Sequence, residues 1–231
     1  MTEAAPLRID YFTDVLCVWA YGVQARLDEL KRVFGDQIDV HYRFIPLFAA
    51  TGQRIGAGWQ DRGGFAGFGS HVQEVASQWD HVGVHETVWA QCAPSSSVPA
   101  HIFLKAVQLL AAGDASPRPE GGNVLEEAVW RVRCAFFRDG LDISSAPVLD
   151  TIAADLGLDV AAIRALIDSG EPHAALHLDD EAKQRYLVPG SPTLILDEGR
   201  QRLYGNVSYR IMEANIRELL RDPVSGEASW C

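Results

Sequence analysis

The chain has 231 residues, 48% of them hydrophobic and 22% charged, with a net charge of −11 at neutral pH and an isoelectric point of about 5.0. That apolar fraction is enough for a packed core and excludes disorder as the main state. The acidic balance has no basic run to reverse it locally, so nucleic acid and anionic membranes are not expected as partners. The opening stretch Met1–Leu7 lacks a basic segment followed by an apolar one, and no apolar run is long enough to span a bilayer. The predicted compartment is therefore the cytoplasm.

Arg8 to Asp14, with Ile9, Tyr11 and Phe12, reads as a first strand. A helical stripe follows at Trp19, Val23, Leu27, Leu30, Val33 and Phe34, stopped by Gly35 and Asp36. Ile38 to Leu47 is rich in β-branched and aromatic residues and predicts a second strand, parallel to the first and joined to it by a right-handed crossover. Ala49 to Gly69 holds seven glycines and no clear period, and predicts a loop with short helical pieces, a flap over the site.

Helices are then predicted over Ser70–Trp79, Val98–Ala111, Asn123–Asp139, Ala146–Leu156, Val160–Ser169 and His173–Arg185. Ala112 to Gly122 is a Gly/Pro-rich connection, Pro147 marks a helix start and Asp159 a cap. Thr193–Leu196 and Gln201–Tyr204 form an antiparallel hairpin turned at Asp197–Arg200. The last helix, Ser208–Leu220, should turn Ile211, Met212, Ile216, Leu219 and Leu220 inward. Strand-forming sequence thus lies only at the two ends. The order implies an α/β protein with an all-helical insertion: residues 1–50 and 180–231 build the sheet domain, and 51–179 the insertion.

Of four cysteines, Cys17, Cys92, Cys134 and Cys231, no two are closely spaced, which argues against a zinc site or a dense disulfide framework. Cys17 sits between the first strand and the first helix. Unpartnered helix N–H groups and the positive end of the helix dipole stabilise a thiolate there, so its pKa should fall below the free value and make it the nucleophile. The alternative is a buried small hydrophobe. Cys134, among Val132, Phe136 and Phe137, reads as core, and Cys231 as an exposed tail thiol.

Asp14-x-x-Cys17-x-Trp19, a helical insertion and then Gly190-Ser191-Pro192-Thr193 resemble the DsbA-like thioredoxin superfamily. Within it the chain is similar to FrnE-type oxidoreductases, 2-hydroxychromene-2-carboxylate isomerases and kappa-class glutathione transferases. Phe136-Phe137-Arg138-Asp139-Gly140-Leu141-Asp142-Ile143-Ser144 is similar to their F-F-x-x-G-x-D-I-S stretch, Ala100-His101 to an Ala-His pair, and Tyr204-Gly205-Asn206 to an aromatic-Gly-polar step. The resemblance runs from about Arg8 to Leu220. It implies a thioredoxin fold and a cis Pro192 facing Cys17.

The chain also departs from these relatives. FrnE-type proteins carry Cys-Pro-Trp-Cys, whereas here Ala20 stands where the second thiol would be. Glutathione-dependent relatives use Ser at the Cys17 position and Asp where this chain has Val207.

The resemblance implies a thiol-disulfide oxidoreductase working through Cys17 and Pro192, with no bound cofactor and glutathione as co-substrate. Its partner would be a small thiol or disulfide, or a protein disulfide. Trp19, Ala20, Ser191, Asn206 and Ser208 would contact substrate, Cys92 could act as a distant resolving thiol, and relatives suggest a homodimer. A glutathione-dependent transferase or isomerase, and a non-catalytic binding protein, remain alternatives. His173 and His177 lack a metalloprotease pattern and read as a solvated face; His81 and His85, near Trp79 and Trp89, read as loop residues.

Overall fold

The computed structural model describes residues 5–113 and 123–221. The tail thiol Cys231 and most of the Gly/Pro-rich connection lie outside the described residues. The elements run β1 (Leu7–Thr13), α1 (Val18–Phe34), β2 (Ile38–Phe44), α2 (Gly64–Ala76), α3 (Val98–Gly113), α4 (Val124–Phe137), α5 (Ala146–Asp155), α6 (Val160–Ser169), α7 (Glu171–Arg185), β3 (Thr193–Leu196), β4 (Gln201–Tyr204) and α8 (Tyr209–Leu219). This is a thioredoxin fold with the helical block inserted between β2 and β3. The sheet order is β2-β1-β3-β4; β1 pairs with β2 in parallel and with β3 antiparallel, and β3–β4 is the expected hairpin.

Alternation along β1 sorts its side chains between two cores. Leu7, Ile9 and Tyr11 join the main core with α1, α3 and α4, while Phe12 packs with Ile45, Ala182, Val188 and Ile195 under α7. β2 ends at Phe44, short of the predicted Leu47, because Pro46 has no N–H for a ladder. Ile211 is 52% exposed rather than inward, whereas Met212 and Ile216 are buried as expected.

The glycine-rich stretch carries the short helical pieces expected of it, and α2 starts six residues before the predicted Ser70. A π-helical turn spans Gly52–Ala57, a 3-10 turn Gln60–Arg62, and α2 begins at Gly64. Glycine weakens a helix by about 1 kcal/mol per residue, but here close packing outweighs propensity. A Cβ on Gly69 would lie 2.7 Å from the Val88 carbonyl oxygen, and one on Gly67 would collide with that of Arg62.

A ladder of charges ties the insertion to the sheet. Arg8 and Arg43 both hold Asp10, at 2.9 Å each; Arg43 also reaches Asp179 at 3.1 Å, and Asp179 takes Lys105 at 2.5 Å. Asp179 also accepts the Phe44 N–H at 2.8 Å. Burial alone would raise the Asp10 carboxyl, but the two arginines bring it below its ordinary 3.8. A depressed carboxylate contributes stability above that value and loses it as pH falls through the folded pKa. Asp10→Asn should therefore lower the urea midpoint at neutral pH and flatten its decline below about pH 4. An unchanged acid slope would show that Asp10 does not carry this linkage.

Candidate active site

Cys17 occupies the N-cap position of α1, its N–H on the Asp14 carbonyl at 3.1 Å and its own carbonyl accepting from Tyr21 at 3.0 Å. The thiol donates to the Ser191 carbonyl at 3.3 Å, and the Ser191–Pro192 peptide is cis. The Ser191 hydroxyl accepts the Asp14 N–H at 3.0 Å, and the Pro192 carbonyl accepts that of Gly205 at 2.9 Å. The Cys17 loop, the proline loop and the step before α8 are thus brought together, and the sulfur faces the proline loop.

The thiol's acidity differs from the sequence expectation. Cys17 is only 6% exposed, and burial pushes its pKa above the ordinary 9.0. The Ser191 side chain and the N–H groups of Ala20 and Trp19 pull it down, as a helix start should, while the Asp14 charge pushes it further up. Desolvation outweighs the helix terminus because water is excluded from a sulfur packed into the main core.

Asp14 is a hub that its place in a short motif did not reveal. Its fully buried carboxylate accepts from Leu16 N–H at 2.9 Å, Phe48 N–H at 3.0 Å and the Ser97 hydroxyl at 2.9 Å. It thereby joins the cysteine loop, the chain after β2 and the start of α3. His101, one turn into α3, lies 3.7 Å from the same carboxylate, accepts the Val15 N–H at Nε2 and is held neutral by burial.

Ala20 is fully buried, so the position of a second thiol is filled by packing. Trp19 is half-buried, edge-on to Trp79 at 5.5 Å. Asn206 is exposed, and its side-chain oxygen and the Val207 carbonyl both accept from Arg26, at 2.5 and 2.7 Å. Ser208 stands at the N-cap position of α8 without a side-chain capping bond.

Cys92 is half-buried and its thiol is pushed up to about 11, by burial and then by Asp142. Its backbone bonds to Thr87 and Trp89, and no hydrogen bond joins it to the Cys17 loop among the described residues. Cys17, Cys92 and Cys134 are free, and Cys134 is buried core as expected.

The DSBA-like thioredoxin domain family matches residues 8–217. Solved structures share the fold. The cytosolic disulfide reductase DsbM from Pseudomonas aeruginosa, determined with GSH, is 21% identical at a TM-score of 0.65, covering 91% of this chain and 100% of its own. A 2-hydroxychromene-2-carboxylate isomerase is 16% identical at 0.59, covering 92% and 95%. The thiol-disulfide exchange protein alpha-DsbA2 from Wolbachia pipientis is 12% identical at 0.59, covering 94% and 84%. No curated protein sequence matches the chain.

Proposed function

We propose that this chain, which belongs to the DSBA-like thioredoxin domain family, is a thiol-disulfide oxidoreductase that works through Cys17 alone and uses glutathione as co-substrate. One observation carries the reading: Cys17 Sγ faces the Ser191 carbonyl beside the cis Pro192, while buried Ala20 leaves no second thiol one turn away. The Cys17 thiolate attacks one sulfur of a disulfide, forms a mixed disulfide and expels the other half as a thiolate, which takes up a proton. A glutathione thiolate then attacks the mixed disulfide and releases Cys17, the oxidised product carrying the new sulfur–sulfur bond. A substrate backbone would lie along Ser191 like an added strand, with Trp19 flanking it. The cytosolic DsbM likeness supports a cytoplasmic setting, and no helix of the described residues is long and apolar enough to cross a membrane.

The protonated, buried thiol favours one second reading. Cys17 would donate a hydrogen bond to the glutathione sulfur and leave the attack to it, as in a glutathione-dependent transferase or isomerase.

Incubation of the folded protein with glutathione disulfide, followed by peptide mapping, tests the proposal. Cys17 should carry one glutathione, with Cys92 and Cys134 unmodified. A Cys17–Cys92 disulfide would replace the single-thiol mechanism with a distant dithiol one. Modification of Cys17 only after denaturation would make it a structural thiol and sink the reading.

A further inference from the structure

The face of the sheet under α7 is covered only in part. Between the C-terminal turn of α7 and the β3–β4 hairpin lies an open cleft of about 790 Å³, lined by Arg8, Arg185, Arg200 and Arg202 with Tyr186 and Glu198. Four arginines line it in a chain of net charge −11.

Two of the four arginines have no carboxylate partner among the described residues. Arg185 and Arg202 form no ion pair among the described residues; Arg202 donates instead to the carbonyls of Leu187, at 2.9 Å, and Tyr186, at 3.5 Å. Arg8, whose side chain is 41% exposed, is the outer end of the buried ladder, in which three cations meet only the carboxylates of Asp10 and Asp179. Arg200 is paired with Asp197 at 2.9 Å, and Glu198 is the single carboxylate in the lining. Guanidinium forks recognise phosphate and carboxylate oxygens bidentately.

Two tight turns edge the cleft. Of four non-glycine residues with left-handed φ among the described residues, three flank it: Leu187 (49°), Asp197 (48°) and Glu198 (55°). These are turn geometries: Asp197 and Glu198 make the β3–β4 turn, and Leu187 caps the end of α7, where the Val188 N–H bonds the Lys183 carbonyl at 2.9 Å. Arg8 stands at the start of β1 and Cys17 beyond its end, and the stretch of strand from Arg8 to Thr13 alone spans roughly 17 Å at about 3.3 Å per residue, so the cleft is apart from the cysteine.

We propose that this cleft binds a small polyanion, a ligand carrying more than one phosphate or carboxylate group. Isothermal titration of the full chain at physiological ionic strength, with pyrophosphate, ATP and citrate as probes, tests it. At least one probe should bind saturably in the submillimolar range, and the pattern among the three separates a phosphate from a carboxylate ligand. Arg185→Gln, a change outside any ion pair, should weaken that binding about tenfold, one charge-assisted contact. Arg210→Gln on α8, against the opposite face of the sheet, should leave it unchanged. Absence of saturation with all three probes at millimolar concentration would overturn the proposal. So would equal weakening by the two variants, which would indicate diffuse charge attraction.

Discussion

Cys17→Ser should reduce turnover of hydroxyethyl disulfide with glutathione to the uncatalysed background, a loss of about 1000-fold or more. A serine hydroxyl is no nucleophile toward sulfur at neutral pH, and Ala20 offers no neighbouring thiol to take over. The pH profile of the wild type adds a second signature. Because burial holds the thiol above 9.0, the thiolate is a minor species at neutral pH. The rate should then rise about tenfold per pH unit from neutral into the alkaline range. A plateau near neutrality would mean that the helix terminus, not burial, governs the sulfur. Cys92→Ser should keep the wild-type rate if one thiol suffices, and a loss matching that of Cys17→Ser would argue for two. Persistent glutathione conjugation in Cys17→Ser would favour the transferase reading.

What the sequence made legible, and what it hid, follows from the range of the interactions involved. The hairpin was readable to the residue because its turn chemistry is local, and the Asp159 cap because its acceptor serves N–H groups two and three residues on. Proximity of Cys17 to Pro192 came from the motif and its resemblance, not from periodicity. The early start of α2 at Gly64 was hidden because propensity speaks against helix in a glycine-rich stretch. What favours helix is the close approach of α2 to the chain at Val88, a contact between segments. The sign of the Cys17 shift was missed for a related reason. A helix start is visible in sequence, but the packing that dries the sulfur comes from the whole core. Arg133 is a further case of long-range contact: it lies fully buried in α4 and donates to Gln24 of α1 and Thr13 of β1.

Asp14 is where such long-range bonds converge on the site, and Asp14→Ala should be the costliest single change in the cysteine loop. Three buried donors, the N–H groups of Leu16 and Phe48 and the Ser97 hydroxyl, lose their acceptor together. Each unsatisfied donor costs about 1–3 kcal/mol, so the loss should be about 4 kcal/mol and the melting temperature should fall on the order of 10 °C. Ser97→Ala removes one donor and leaves the other two bonds intact, and should cost about 1 kcal/mol. The contrast distinguishes a hub from a generally intolerant core, where both changes would cost alike. Asp14→Asn separates stability from acidity. The backbone groups of residue 14 that hold Cys17 and Ser191 survive the substitution, but the charge that raises the thiol pKa is gone. The midpoint of Cys17 alkylation against pH should move down even as stability falls. A midpoint that moved up would mean that Asp14 acts on the sulfur through its position, with its charge offset by the surrounding hydrogen bonds.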